Sequence, residues 1–119
     1  MKTTLVMGAS LKPHRYSNMA IRSLVDKGVA VKAFGLRQGE VSDITIDTEL
    51  VDYKDIHTVT LYMNAKRQED YYDYIISLNP ERVIFNPGAE NFEFKELLDQ
   101  AGINSEMACT LVLLSTNQY

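Results

Sequence analysis

Short apolar runs alternate with amphipathic segments of helical length along the first part of the chain. The run Leu5–Met7 contains no polar residue, which is typical of a parallel strand covered by helices on both faces. Apolar positions recur at helical spacing in residues 17–27, Gly28 is a typical helix stop, and residues 29–34 again resemble a strand. Because one helix separates the two strands, we predict a right-handed unit with parallel strands.

The same alternation continues through the second half of the chain. Further strands are predicted at residues 58–62, 82–86 and 103–108. Helices are predicted from an Asn64 cap to about Leu78, and from an Asn91 cap to a stop at Gly102. This order of elements predicts one domain over residues 1–119 of the α/β class, with a Rossmann-like, three-layer α/β/α fold around a mostly parallel, five-stranded sheet.

Four stretches give weaker signals. Residues 35–40 read as a turn-rich loop, and residues 43–47 alternate like a short edge strand or an extended segment. Residues 48–56 are acidic and loop-like, and no chemical role follows from them. The apolar stretch Cys109–Leu114 fits either a short helix or an extension of the sheet.

The loop that follows the first strand carries candidate chemistry. Gly8 ends the strand, and Ser17 or Asn18 is the predicted N-cap of the next helix. A buried parallel strand directs its carboxyl end toward the N-terminus of that helix, where unpaired N–H groups and the dipole favour a phosphate. Gly8 allows close approach, and Lys12 and Arg15 add positive charge. We therefore predict a phosphate site, with an ordinary turn that binds nothing as the alternative.

Charge and cysteine content narrow the range of partners. The net charge of −4 argues against nucleic-acid binding, which needs a basic surface. Cys109 is the single cysteine, which excludes an internal disulfide and fits a reducing cytoplasm. Residues 1–5 lack the apolar core of a signal peptide, and no apolar run reaches the ~20 residues of a spanning helix. We expect a cytoplasmic protein without a membrane or nucleic-acid partner.

The groups expected at the strand ends suit binding better than catalysis. Ligands of open parallel sheets lie outside the carboxyl ends of the strands. Backbone amides, hydroxyls and cations are predicted there, but no triad and no paired acids, so we predict no catalytic residue and no metal site. His14 is expected either to be solvated or to contact a phosphate, and His57 to be structural. Cys109 is expected to pack as a small hydrophobe.

Several motifs, taken in order, resemble those of one family. They are Gly8-Ala9-Ser10-x-x-Pro13, Arg15-Tyr16-Ser17-Asn18, Val83-Ile84-Phe85-Asn86-Pro87-Gly88-Ala89, and Ala101-Gly102-Ile103 leading to Cys109. Over nearly its whole length the chain resembles the small stand-alone CoA-binding domain proteins, which are similar to the amino-terminal domain of the succinyl-CoA synthetase α subunit. The phosphorylated histidine of that synthetase lies in a second domain, so the resemblance implies binding without ligase activity. The chain departs from the family at Gly35-Leu36, where an Asn-Pro turn is common.

The resemblance implies a nucleotide crevice for CoA at the strand ends. By position, Gly8–Ser10 and the start of the first helix would meet the pyrophosphate, and Arg37 would lie near the nucleotide phosphates. Tyr62–Met63 would line the adenine side, and Asn86–Gly88 the pantetheine path. The implied cofactor-binding residues are Gly8, Ala9, Ser10, Lys12, Arg15, Tyr16, Ser17, Asn18, Arg37, Tyr62, Met63, Asn86, Pro87 and Gly88.

Three functional hypotheses follow. The leading one is a non-catalytic or regulatory module that binds CoA, an acyl-CoA or a related adenine nucleotide. An NAD(P)-linked enzyme is the alternative; it is disfavoured because such proteins usually carry an acid after the second strand, where this chain has Phe34-Gly35 and then Arg37. The third is a protein-interaction domain that retains the fold without the ligand and binds an unidentified protein.

Overall fold

The computed structural model of this protein describes residues 2–119. Its strands are β1 (Thr3–Ala9), β2 (Ala30–Gly35), β3 (Gly39–Val41), β4 (Ile44–Asp47), β5 (Ile56–Leu61), β6 (Arg82–Phe85) and β7 (Asn104–Met107). Its helices are α1 (Tyr16–Asp26), α2 (Ala65–Gln68), α3 (Tyr72–Ser77), α4 (Phe92–Gln100) and α5 (Thr110–Ser115), with a 3₁₀ turn at Glu69–Tyr71. No helix in this described range is long and apolar enough to cross a bilayer.

The strands form one sheet in the order β3-β4-β2-β1-β5-β6-β7. Parallel pairing runs from β4 through β2, β1, β5 and β6 to β7, and β3 pairs antiparallel with β4. The predicted α/β class and mostly parallel sheet are confirmed. The predicted number of five strands was wrong, because the sheet has seven.

The two additional strands form a hairpin beyond β2. At its tip, Ser42 and Asp43 adopt positive φ angles of 50° and 65°. Positive φ at both central residues is the geometry of a type I′ turn, which usually carries Asn-Gly or Asp-Gly. Because neither turn residue is glycine, the usual hairpin signal is missing. The predicted loop at residues 35–40 therefore runs directly into β3, and residues 43–47 supply β4 rather than an edge strand.

Strand β1 is the centre of the core because both of its faces are covered. Leu5 and Met7 pack into one apolar cluster with residues of α3 and α4. Val6 and Ala9 pack into a second cluster with residues of α1 and α5. Each fully buried aliphatic side chain of this kind contributes roughly 1.5–3 kcal/mol. With both faces covered, the ends of the strands are the remaining parts of the sheet at which a ligand can approach.

The predicted helix starts are partly correct. Asn64 and Asn91 are N-caps as predicted, since their side chains accept bonds from the N–H groups of Arg67 and Phe94. The prediction for α1 was wrong: its N-cap is Arg15, which makes no side-chain capping bond. Ser17 and Asn18 lie inside the first turn and are buried. The N-cap therefore lies two or three residues before the predicted positions.

The structure also shows which elements residues 64–78 and 109–114 form. The predicted helix from Asn64 to Leu78 is divided into α2, the 3₁₀ turn and α3. The ambiguous stretch Cys109–Leu114 is helical, with Cys109 at the N-cap position of α5. The predicted strand at residues 103–108 corresponds to β7, paired parallel to β6.

Candidate functional site

The strand order reverses between β1 and β5, and the candidate site lies at this point. The chain moves from β1 outward to β2 and β4, then returns to place β5 on the other side of β1. Ligands of open α/β sheets lie at such reversals, outside the carboxyl ends of the strands. Gly8, near the end of β1, adopts φ +92°, and an added Cβ would lie 2.8 Å from the carbonyl oxygen of Tyr62. Only glycine allows this approach of the two strand ends.

A crevice of about 460 Å³ occupies this point. It is lined by Gly8, Ala9, Ser10, Leu11, Lys12, Arg15, Tyr16, Ser17, Leu36, Arg37, Tyr62, Met63, Asn64, Arg67, Pro87, Gly88 and Ala89. All of the predicted site residues except Asn18 and Asn86 are in this set. We call residues 8–18 the first wall, and residues 62–67 with 86–89 the second wall.

The first wall is folded by hydrogen bonds within its own loop and helix. The Ser10 hydroxyl accepts from the N–H of Lys12, at 3.1 Å. The Asn18 side chain donates to the Ser10 carbonyl at 2.9 Å and accepts from Arg22 Nε at 2.9 Å. Arg22 also donates to the Pro13 carbonyl, at 2.7 Å. Asn18, predicted to bind the ligand, thus supports the loop from behind and does not line the crevice.

The start of α1 opens into the crevice with free donors. The first backbone bond of the helix joins the N–H of Met19 to the carbonyl of Arg15, at 3.1 Å. The N–H groups of Tyr16, Ser17 and Asn18 have no partner among residues 2–119, and no side chain caps them. Unpaired N–H groups and the helix dipole together favour an anion at this position.

Four exposed cations surround the crevice: Lys12, Arg15, Arg37 and Arg67. None of them forms an ion pair with a carboxylate of the described chain. No acidic residue lines the crevice, although Glu90 beside it accepts from the N–H of Gly88, at 2.8 Å. The rest of the chain has 16 acidic side chains against the eight remaining Lys and Arg, so positive charge is concentrated at this site.

Arg67 was not predicted. It lies in the first turn of α2, directly after the carboxyl end of β5. Its charge faces the same edge of the sheet as the other three cations because the Asn64 cap starts the helix there. That cap was visible in the sequence and was the available signal. Leu36 and Ala89, which also line the crevice, were not named as site residues because their side chains have no distinctive ligand chemistry.

Asn86 anchors the second wall from beneath. It is 1% exposed. Its Nδ2 donates to Thr60 Oγ1 at 2.6 Å and to the Leu61 carbonyl at 2.9 Å. Its Oδ1 accepts from the N–H of Thr110, at 2.9 Å. The amide therefore joins β5, β6 and α5, with both of its N–H donors bonded within the protein.

Gln68 connects the two segments of the second wall. Its side chain is fully buried, and its Nε2 donates to the Met63 carbonyl at 2.9 Å and to the Ala89 carbonyl at 2.7 Å. Its Oε1 accepts from Asn91 Nδ2, at 3.0 Å. The Asn91 side chain also caps α4. One buried amide thus fixes the spacing between the ends of β5 and β6.

Tyr62 lines both the crevice and a smaller cavity. Its hydroxyl is buried, and no described residue lies in hydrogen-bonding geometry to it. Burial raises the pKa of Tyr62 to about 12, and the neighbouring Thr110 hydroxyl offsets only part of that rise. The side chain is therefore neutral at physiological pH. The smaller cavity measures about 210 Å³ and is lined by Tyr16, Tyr62, Asn86, Pro87, Cys109 and Leu111.

The histidines and the cysteine lie outside the crevice. His14 is exposed on the first wall and does not line the crevice. His57 lies within β5, where its Nδ1 is 2.8 Å from the Thr58 hydroxyl. Burial, together with the charges of Lys2 and Arg82, lowers the pKa of His57. Cys109 is half-buried at the smaller cavity. These positions give no pairing of a nucleophile with a base.

The chain matches a known family over most of its length. The sequence pattern of the CoA binding domain matches residues 2–115. A crystal structure of an uncharacterized protein is 43% identical, with a TM-score of 0.97, and the match covers 100% of this chain and 98% of that one.

More distant structures have the same fold. A protein from Thermus thermophilus is 23% identical with a TM-score of 0.86, covering 99% of this chain and 90% of that one. A hypothetical protein from Pyrococcus horikoshii is 25% identical with a TM-score of 0.86, covering 97% and 82%. No curated protein matches the chain.

Proposed function

Because this chain belongs to the CoA binding domain family, we propose that its crevice binds CoA or an acyl-CoA and that this binding is non-catalytic or regulatory. The observation that carries the proposal is the concentration of unpaired positive charge around an uncapped helix start. Lys12, Arg15, Arg37 and Arg67 surround the crevice of an otherwise acidic protein. CoA is an anion with three phosphate groups, so its charge complements this site.

The geometry suggests a role for each part of the crevice. The free N–H groups at the start of α1 and the backbone of Gly8–Ser10 would bind the pyrophosphate. Arg37 and Arg67, on opposite sides of the opening, would bind the remaining phosphate charge. Tyr62–Met63 would line the adenine side. Pro87–Gly88 would border the pantetheine arm, with Asn86 as their support.

Isothermal titration calorimetry with CoA, dephospho-CoA, NAD and NADP tests the proposal. We expect CoA to bind more tightly than dephospho-CoA and NAD, which lack its third phosphate, and more tightly than NADP, which has three phosphates but no pantetheine arm. No saturable heat with CoA up to millimolar concentration would overturn the proposal. Tighter binding of NAD would favour the NAD(P)-linked enzyme, and no binding of any nucleotide would favour the protein-interaction domain.

Charge-removing variants sharpen the test. We expect Arg37→Gln and Arg67→Gln each to weaken CoA binding about tenfold, as a lost charge-assisted contact does. Lys32→Gln is the matched control, since Lys32 is an exposed cation of β2 outside the crevice. Equal affinities for all three variants would mean that general charge, not this crevice, attracts CoA.

A further inference from the structure

The cavity beside Tyr62 adjoins the crevice. Its lining shares Tyr16, Tyr62 and Pro87 with the lining of the crevice. Its remaining lining residues are Asn86, Cys109 and Leu111. The cavity therefore lies directly beside the path of a ligand that follows the second wall past Pro87.

The chemistry of the cavity differs from that of the crevice. None of the four cations lines it, and most of its surface is apolar. Asn86, its most polar side chain, has both amide atoms engaged by Thr60, Leu61 and Thr110. A phosphate or another charged group would lose hydration here and would find only neutral groups, such as the buried Tyr62 hydroxyl, in place of water. An apolar group would gain from burial.

The volume limits the size of that group. At about 30 Å³ for each water-sized group, 210 Å³ accommodates about seven non-hydrogen atoms. The thioester and acyl chain of a four-carbon acyl-CoA have about that many. A longer chain would extend beyond the cavity.

We infer that this cavity is an acyl subsite, and that the crevice binds short-chain acyl-CoA thioesters in preference to free CoA. The nucleotide occupies the charged crevice, and the pantetheine arm passes between Tyr16 and Pro87. The acyl chain then lies against Cys109 and Leu111. This inference rests on the proposed function, because it requires CoA in the crevice.

A chain-length series on the unaltered protein tests the inference. CoA, acetyl-CoA, butyryl-CoA and octanoyl-CoA are titrated by calorimetry. Each buried methylene strengthens binding about fourfold, so butyryl-CoA is expected to bind about fifteenfold more tightly than acetyl-CoA. Octanoyl-CoA is expected to bind no more tightly than butyryl-CoA. Equal affinity for CoA and every acyl-CoA, or affinity that keeps rising to octanoyl-CoA, overturns the acyl subsite.

A cavity-filling variant locates the effect. Leu111→Phe adds volume inside the cavity, and we expect the ratio of butyryl-CoA to CoA affinity to fall to about one. Val112→Phe is the control: Val112 is the next residue of α5, is 54% exposed and does not line the cavity, so this variant should retain the ratio. A preserved ratio in Leu111→Phe contradicts the assignment. If Leu111→Phe does not fold, Cys109→Leu replaces it in this test. That variant also adds volume inside the cavity, from the N-cap of α5, and the same fall in the affinity ratio is expected.

The series separates the two proposals. Absence of CoA binding overturns the proposed function and the acyl subsite together. Binding of CoA without discrimination by chain length overturns the acyl subsite alone.

Discussion

The two walls of the crevice are built by different means. The first wall, residues 8–18, is folded by bonds among near neighbours, such as those joining Ser10, Asn18 and Arg22. The second wall, residues 62–67 and 86–89, is held by the buried amides of Asn86 and Gln68, which join segments more than twenty residues apart.

This difference explains how each wall can be recognised. A wall made of local contacts leaves a continuous sequence motif: an apolar strand, a glycine, a short basic loop and a helix. A wall made of distant contacts leaves isolated polar residues, whose role depends on what packs above them. Loss of one local bond should deform a loop, whereas loss of one buried amide should loosen three segments at once.

The largest expected effect compares one glycine from each wall. Gly8 and Gly88 have similar φ angles, +92° and +94°. An added Cβ meets the Tyr62 backbone at Gly8 but nothing within 4 Å at Gly88. We expect Gly88→Ala to lower the free energy of unfolding by about 1–2 kcal/mol through backbone strain alone. Gly8→Ala should lower it by about 4 kcal/mol, because overpacking adds to that strain.

Urea unfolding monitored by circular dichroism measures both glycine variants. The informative quantity is their difference, in which the shared cost of positive φ cancels. Equal destabilisation would show that the contact between Gly8 and Tyr62 does not hold the walls together.

The next effect concerns the support of the second wall. Asn86→Ala leaves the Thr110 N–H and the Leu61 carbonyl without their partner, and each unsatisfied buried group costs about 1–3 kcal/mol. We expect a loss of about 3 kcal/mol in the free energy of unfolding. Asn104→Ala, at an exposed position in β7, is the control and should change stability by less than about 0.5 kcal/mol. A similar small change for Asn86→Ala would refute its role as the anchor.

The smallest expected effect tests the spacing of the second wall. Gln68→Met preserves shape but removes both donor bonds, to Met63 and Ala89. We expect a loss of about 2 kcal/mol in unfolding free energy, together with weaker CoA binding because the two segments move apart. Gln100→Met, at an exposed position in α4, should change neither quantity. Normal CoA affinity in a destabilised Gln68→Met protein would show that Gln68 stabilises the fold but does not set the spacing needed for CoA binding.

Some features of the fold could be predicted because they follow from local patterns. Uninterrupted apolar runs indicated strands buried on both faces, and Asn64 and Asn91 were recognisable caps. The hairpin of β3 and β4 was missed because Ser42 and Asp43 adopt the conformation that glycine usually marks. The N-cap of α1 was predicted two or three residues too late, because Ser17 and Asn18 are residue types common at N-caps but here lie inside the first turn.

Local sequence patterns also predicted only part of the candidate site. The loop after β1 was predicted as a unit, and its residues line the crevice except for Asn18 among those named. Asn86 was predicted to line the pantetheine path; its amide bonds to β5 and α5, and it lines the smaller cavity rather than the crevice. No role was predicted for Gln68, which is fully buried. A polar residue does not reveal whether its partner is a ligand or a distant segment.

The sequence by itself determined the α/β class, the prediction of a phosphate site at the Gly8 loop and the family resemblance, because periodicity, glycine and short motifs act over a few neighbouring residues. Only the tertiary structure decided that Arg67 joins the cations of the first wall, that the amides of Asn86 and Gln68 bond to distant segments, and that an apolar cavity lies beside Tyr62. These features depend on which strand ends become neighbours when the sheet order reverses between β1 and β5. That juxtaposition brings residues about fifty positions apart into contact, and no local pattern encodes it.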